Sequence, residues 1–424
     1  MTNTLVLDGS ELPFARPFIG KEEEEAVLRV LRSGWLTTGA ETLAFEREFQ
    51  EFLTHCTQIR SSCSLQKTKD TKDIHCLAVN SATSGLHLAL EACGVGSGDL
   101  VLLPSYTFTS TAEVVRYLGA DPVFVDVVPG GFHIDPAVLE KTLKSLTGPS
   151  RRTGLFRGKT PKAVIPVHYG GFPCDMPAIM DIARRYNLKV IEDAAHAFPS
   201  RLDGGGWAGA IGDAGVYSFY ATKTITTGEG GMVVCKDEGI AARILIMRSH
   251  GIDRSVWNRY TSAGAPWYYE VVEAGYKYNL PDLLAAVGRV QLSRAWELLS
   301  MRREIAAVYD SAFCGDERFH IPPTGDGDAR HLYPLRLNTG ALSISRDDFI
   351  QKLKERNIGV SVHFIPLHIM PFYKNRYSLT DGDFPETMKS FRQEISLPIW
   401  PGMSRAQVER VITVVKSIAG AYTI

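Results

Sequence analysis

Between residues 76 and 235 the chain alternates short apolar runs with helical patterns, and few architectures accept that rhythm. The runs are Cys76–Val79, Leu100–Leu103, Pro122–Val127, Ala163–Val167, Lys189–Ile191, Gly215–Phe219 and Met232–Cys235. Several are apolar at nearly every position, as strands buried on both faces must be. Helical stretches fall between them at Ser84–Cys93, Thr109–Leu118, Asp135–Ser145 and Asp175–Tyr186. Strands separated by helices can pair in parallel, because parallel neighbours need a long crossover. The pattern predicts an α/β fold, with a mostly parallel central sheet flanked by helices. Ligands in such folds bind beyond the carboxyl ends of the strands. Asn80–Thr83, Pro104–Phe108, His168–Gly171 and Asp193–His196 all follow strands there.

Pro281 opens a further helical pattern with Leu283, Ala286, Val287 and Val290 on one face. It leads out of the large domain near residue 300. The remainder mixes strands (Leu332–Leu337, Val360–Phe364) with helices (Arg346–Arg356, Arg405–Ile418) and reads as a smaller α/β domain. The expected organisation is an N-terminal arm over 1–30, a large domain over 31–300 and a small C-terminal domain over 301–424. Two polar or basic stretches with weak patterning, 55–76 and 145–162, read as surface insertions.

Composition excludes several classes. Lys plus Arg is 46 against 47 for Asp plus Glu, which offers no basic field for nucleic acid. No run is apolar for the length of a membrane span. The start, Met1-Thr-Asn-Thr-Leu-Val-Leu-Asp-Gly, lacks a basic segment followed by an apolar one, so no secretory signal is expected. Seven cysteines, an odd and low number for 424 residues, fit reduced thiols and a cytoplasmic protein. His55, Cys56, Cys63, His75 and Cys76 lack the paired spacing of a zinc site, so no metal is expected.

The chemistry centres on Lys223, in Gly215-Val-Tyr-Ser-Phe-Tyr-Ala-Thr-Lys-Thr-Ile-Thr-Thr-Gly-Glu-Gly-Gly231. A lysine at a strand end, partly desolvated, has a lowered pKa and can attack a carbonyl. Val190-Ile-Glu-Asp-Ala-Ala-His196 ends a neighbouring strand in a carboxylate, Asp193. Asp193 can serve as a helix N-cap; at the sheet edge it can instead hold a pyridinium nitrogen. Lysine and aspartate together are what pyridoxal 5'-phosphate (PLP) requires. Asn80-Ser-Ala-Thr-Ser-Gly-Leu-His87 sets small polar residues at a strand-to-helix junction, where Ala82 and Thr83 suit either simple capping or a phosphate. Ser218 can add a hydroxyl to that phosphate. Phe108 is a core aromatic or a face for a flat ring. His196 is a packed histidine or a partner for a ring hydroxyl.

These motifs resemble the DegT/DnrJ/StrS family of PLP-dependent nucleotide-sugar aminotransferases. The resemblance runs through Ser33-Gly-Trp-Leu-Thr-Thr-Gly39, Pro104-Ser-Tyr-Thr-Phe108, Pro166-Val-His-Tyr-Gly170, Glu192-Asp-Ala-Ala-His196 and Ser218-Phe-Tyr-Ala-Thr-Lys223. It continues through Thr227-Gly-Glu-Gly-Gly231, His250-Gly251, His363-Phe-Ile-Pro-Leu-His368 and Ser396-Leu-Pro398. It implies the aspartate aminotransferase-like fold (PLP fold type I) and a homodimer with active sites at the subunit interface. Lys223 is then the Schiff-base lysine and Asp193 the partner of the pyridine nitrogen, with His196 near the ring hydroxyl. Thr83 and Ser218 match phosphate positions, and Phe108 the stacked aromatic. Trp35, Thr37 and His363 fall on substrate loops. Where many members read Gly-Tyr-Asn-Tyr-Arg, this chain has Gly275-Tyr-Lys-Tyr-Asn279. Lys277 or Asn279 therefore takes the contact to the partner subunit's cofactor phosphate. That variant, with Trp257-Asn-Arg259 and Ala265-Pro266, is similar to the UDP-4-amino-4-deoxy-L-arabinose aminotransferase branch.

The implied activity is ping-pong transfer of an amino group from L-glutamate, leaving 2-oxoglutarate, to a nucleotide-diphosphate keto sugar. The keto group is expected at the fourth carbon, with the third as the alternative. A sugar dehydratase relative would carry histidine in place of Lys223. A non-catalytic PLP-binding regulator would carry an added DNA-binding domain. A nicotinamide-dependent dehydrogenase would need Gly-x-Gly-x-x-Gly after an early strand, which Asn80–Gly85 does not supply.

Overall fold

The computed structural model describes residues 11–55, 74–148, 156–253, 267–323, 325 and 327–424. The apolar runs become β1 (His75–Val79), β2 (Asp99–Pro104), β3 (Asp121–Val125), β4 (Thr160–Val164), β5 (Lys189–Asp193), β6 (Ala214–Ser218) and β7 (Gly231–Cys235). They form one seven-stranded sheet in the order β1-β7-β6-β5-β4-β2-β3. Pairing from β6 through β5, β4 and β2 to β3 is parallel. β7 runs antiparallel to both of its neighbours. The segment from Ser218 to Gly231 holds no helix to carry the chain back across the sheet, so it returns alongside β6.

This topology gathers the expected edge. Asp193 pairs with Val216 in β5–β6, and Ser218 with Gly231 in β6–β7. Val79, last in β1, also faces Gly231. The ends of β1, β5 and β6 and the start of β7 thus lie side by side. The helix after β1 starts at Ala82 rather than Ser84. Ser81 caps it, its hydroxyl accepting the Ser84 N–H at 3.1 Å while its own N–H donates to the Ser84 hydroxyl at 3.2 Å. Gly85 lets this helix lie close on the sheet, since a Cβ there would sit 2.7 Å from Val216 Cγ1. Leu86, Leu88 and Leu90 are buried in the same core.

A second, antiparallel sheet contains β8 (Phe319–His320), β9 (Tyr333–Leu337) and β10 (Glu394–Leu397), in the order β10-β9-β8. The helices Arg346–Glu355 and Arg405–Ala421 bury Phe349, Leu353, Val411 and Val415 in its core, which Leu12 joins from the N-terminal side. Helix Ala295–Phe313 serves both regions without a break. Leu298 packs with the core beneath β7, Tyr309 and Phe313 with the core of the second sheet.

Two expectations are corrected. Val360–Phe364 is not a strand. Ser361 alone bridges Ser396, and the next N–H toward the interior, that of His363, donates to the Glu394 carboxylate at 3.1 Å instead of to a ladder partner. The stretch 145–162 is not all loop: the helix Pro136–Thr147 takes its start and β4 its end, while 149–155 lie outside the described residues. Most of 55–76, including Cys56 and Cys63, also lies outside them, as do Trp257–Arg259 and Ala265–Pro266. Among the described residues, no helix is long and apolar enough to cross a membrane.

The Gly85 contact generates a stability prediction. Gly85→Ala should lower stability by about 1–3 kcal/mol through overpacking against Val216. Denaturant unfolding reads this directly, and an unchanged midpoint would mean the helix can lift off the sheet freely.

Candidate active site

A cavity of about 440 Å³ opens at the carboxyl edge of the large sheet. Lys223 and Asp193 both line it, as do Ala82, Thr83, Phe108, Ser218, His196 and His363. Eight of the expected residues therefore converge from separate segments on one space.

Asp193 ends β5 and no helix follows it, so the capping alternative falls away. Its Oδ1 accepts the Ala195 N–H at 3.2 Å, and its Oδ2 accepts the Thr111 hydroxyl at 2.8 Å. Thr107 in turn lies 2.8 Å from the Thr111 hydroxyl. Burial raises the Asp193 pKa, with the two hydrogen bonds and then Lys223 acting against it. The adjacent Glu192 points to the opposite side of the strand. Its oxygens accept N–H groups from Gly209, Ile211 and Gly212 at 2.7–2.8 Å, and His168 Nε2 lies 2.9 Å from it. The Cys174 N–H donates to His168 Nδ1 at 3.0 Å, so the His168 ring proton sits on Nε2 and faces Glu192. His168 also donates its backbone N–H to the Asp193 carbonyl at 3.0 Å, which braces the end of β5.

Lys223 follows β6 in a turn held by its N–H donating to Tyr220 O at 3.0 Å. Its pKa is lowered to about 7 by burial, with Asp193 opposing and Arg302 adding to the fall. Arg302 is fully buried on helix Ala295–Phe313 and donates to the carbonyls of Thr222, His331 and Ile399 at 2.9–3.2 Å. It pins the residue before Lys223 to the C-terminal part of the chain.

The remaining surfaces suit a flat, phosphorylated ring. Ala82 and Thr83 open the helix, where backbone N–H groups have no partner within it and the dipole favours an anion. Gly231 presses on that start, since a Cβ there would come within 2.8 Å of Ala82 N. Ser218 adds its hydroxyl. Phe108 leaves 55% of its surface exposed although it lines the cavity, and its ring meets that of Phe364 at 5.6 Å, an apolar surface that suits a flat ring. His196 accepts the Gly170 N–H at Nδ1 (3.2 Å), which leaves Nε2 to carry the proton as a donor. Burial, then Lys223 and His363, lower its pKa, so the ring is neutral. The residues present fit PLP.

Trp35, Thr37, Lys277 and Asn279 do not line this cavity. They gather around Thr38 instead. Asn279 Nδ2 donates to Thr38 Oγ1 at 2.6 Å and the Lys277 ammonium donates to Asn279, while Trp35 Nε1 donates to Thr38 O at 3.3 Å. Thr111, Arg302 and His331 were not anticipated. Thr111 falls one turn after Thr107 in a helix start already recognised, which is a usable signal. His331 lies 4.5 Å from His196 ring to ring, with a buried Nδ1 that has no hydrogen-bond partner among the described residues. Nothing local marks it or Arg302.

A half-buried lysine and a buried aspartate on one cavity, at the edge of a mostly parallel sheet and beside a helix start open to phosphate, define an aspartate aminotransferase-type PLP enzyme. Residues 17–65 and 68–416 match the DegT/DnrJ/EryC1/StrS aminotransferase family, and the chain belongs to it. SpsC, a spore coat polysaccharide biosynthesis protein of Bacillus subtilis, is 41% identical over 414 residues, covering 96% of this chain and 97% of SpsC. The sugar aminotransferase Spr1654 of Streptococcus pneumoniae, solved in PMP and PLP forms, superposes in its PMP form with a TM-score of 0.82 at 29% identity, covering 97% and 99% of the two chains. DesI, solved with its TDP-sugar product, superposes with a TM-score of 0.77 at 26% identity, covering 97% and 93%. The chain is thus a PLP-dependent sugar aminotransferase.

The lysine's environment has a pH consequence. Its amine is neutral, and nucleophilic, only above its lowered pKa. Capture of PLP by cofactor-free protein should accelerate with pH through a midpoint near 7, followed by absorbance of the bound cofactor. A midpoint near that of free lysine would mean the amine is not desolvated.

Proposed function

We propose that this enzyme moves an amino group from L-glutamate to a nucleotide-diphosphate keto sugar, at the sugar's fourth carbon, by two half-reactions in turn. The observation that carries this is the pairing of Lys223 and Asp193 across one cavity. DesI, with its TDP-sugar, supports a nucleotide-linked acceptor, and SpsC supports a product destined for a polysaccharide. The Gly275-Tyr-Lys-Tyr-Asn279 variant favours the fourth carbon over the third.

Bound PLP supplies an electron sink for the pair left on the substrate carbon when its proton departs. Ala82, Thr83 and Ser218 would hold the phosphate, Phe108 would cover the ring, and Asp193 would keep the ring nitrogen protonated. His196, with its proton on Nε2, would donate to the ring oxygen. Lys223 would take the substrate proton in one half-reaction and return it in the other. Its pKa near 7 suits both tasks. His363 contacts the sugar or the amino donor.

The cluster at Thr38 serves a second copy of the chain in this reading. Leu28, Leu31, Leu36 and Leu43 are exposed nearby in sequence, apolar surface that a homodimer would cover. Lys277 or Asn279 then reaches the partner's phosphate, and Trp35 and Thr37 the partner's substrate. Buried Cys76, Cys93, Cys174 and Cys235 and exposed Cys314 are free thiols, which suits the cytoplasm.

Purified protein should be yellow, and borohydride should fix the cofactor to Lys223. Lys223→Ala should bind cofactor yet lose amine transfer by about 10²-fold or more. Asp193→Asn should fold and slow both half-reactions by about 10²–10³-fold; rates unchanged by either substitution would remove that residue from the mechanism. Assay of the pyridoxamine form against a panel of nucleotide keto sugars names the acceptor, and no turnover with any of them would reject the sugar reading. Mixing inactive Lys223→Ala with a Lys277→Ala/Asn279→Ala variant should restore activity through hybrid dimers. No recovery would keep each site within one chain.

A further inference from the structure

His363 sits at the cavity with one ring nitrogen already committed. Its Nδ1 lies 2.8 Å from the Ser396 hydroxyl, and that hydroxyl lies 2.5 Å from Glu394 Oε1. Glu394 Oε2 accepts the His363 backbone N–H at 3.1 Å, so the carboxyl and the ring are tied at two points. Nε2 is left as the ring nitrogen without a protein partner among the described residues. Glu394 itself is buried in β10, out of reach of substrate.

A serine hydroxyl has one proton and can donate it in only one direction. With Glu394 ionised, Ser396 donates to the carboxylate, His363 Nδ1–H donates to Ser396, and Nε2 is a bare acceptor. With Glu394 protonated, the acid donates to Ser396, Ser396 donates to Nδ1, and the ring proton moves to Nε2. The charge state of a carboxyl inside the protein therefore decides what the histidine offers the cavity.

We infer that Glu394 is a positioning residue for proton transfer, acting through Ser396 to let His363 accept a proton from a substrate N–H or O–H and return it while the ring stays neutral. The step balances. The substrate group gives its proton to Nε2, the Nδ1 proton passes to Ser396, the Ser396 proton passes to Glu394, and one carboxylate becomes one acid. The reverse shift returns the proton to the substrate. This deepens the site proposed for sugar transamination and rests on that reading.

The surroundings favour a relay over a charged imidazole. Burial and then Lys223 push His363 down to about 3, so an imidazolium is costly there. Burial raises Glu394 to about 8, against hydrogen bonds from Ser396 and the His363 N–H, the charge of Arg346 and a hydrogen bond from Tyr169. The groups facing Glu394 are Arg346, Tyr106, Tyr169 and, across the strand pair, Arg336. Arg346 gives one guanidinium N–H to the Glu394 backbone carbonyl at 3.0 Å, so it does not lock the carboxyl as an ion pair.

Nitrogen NMR of histidine-labelled full-length protein, with and without cofactor, tests this, His363→Gln assigning the signal. The ring proton of His363 should move from Nε2 to Nδ1 as pH rises through about 8. Glu394→Gln and Ser396→Ala should each abolish the movement. Glu394→Gln should also lower kcat about tenfold or more with KM little changed, and flatten the pH profile near 8. A single tautomer throughout in the wild type, or a switch that survives Glu394→Gln, overturns the relay. If Glu394→Gln does not fold, the wild type and Ser396→Ala decide alone. A switching tautomer in a protein inactive on every keto sugar would sink the sugar reading and leave the relay standing; turnover with a fixed tautomer would do the reverse.

Discussion

Lys223 and Asp193 are an amine and a carboxyl drawn out of bulk water onto one cavity, and the rest of the site is arranged around that fact. Removing such groups from water costs several kcal/mol per ion. The fold offsets it unevenly. Asp193 has Thr111 and the Ala195 N–H as donors. Among the described residues Lys223 has no comparable acceptor, and burial, with Arg302 nearby, pushes the amine toward its neutral form. An amine whose pKa falls to about 7 is in good part neutral at ordinary pH, and so a nucleophile and a base; beside it, the carboxylate keeps acceptor capacity for a ligand.

The contrast with Glu192 shows how one strand provides both support and chemistry. Consecutive strand residues point to opposite faces. Glu192 looks inward and spends its lone pairs on three backbone N–H groups and His168. Asp193 looks into the cavity and is only partly satisfied. Substituting one for the other would exchange a structural clamp for a reactive group, although both are buried carboxylates in adjacent positions.

The far wall comes from the C-terminal part of the chain. His331, Leu332, His363 and Ile399 line the cavity from segments around the second sheet. Arg302 links the two sides, donating to Thr222 next to the lysine and to the backbone of His331 and Ile399. The relay from Glu394 to His363 extends that wall inward, so that a proton can be parked in the second core rather than beside Lys223.

Much of this was legible in the residues. All seven apolar runs became strands of one sheet because doubly buried strands require near-continuous apolar sequence, a local property. Asp193 and Ser218 were recognisable because each ends a strand, and Lys223 because it lies in the turn after β6; strand ends of a parallel sheet share an edge. Val360–Phe364 misled because its apolar and β-branched residues suit a strand, whereas the Glu394 carboxylate captures the His363 N–H that a ladder would use. Only tertiary structure could decide the reversed direction of β7, the arrival of Arg302 and His331 beside the lysine, and the pairing of Glu394 with Ser396 and His363. Those depend on contacts between residues far apart along the chain, and local pattern carries no information about which distant groups will meet or how far burial will shift their charges.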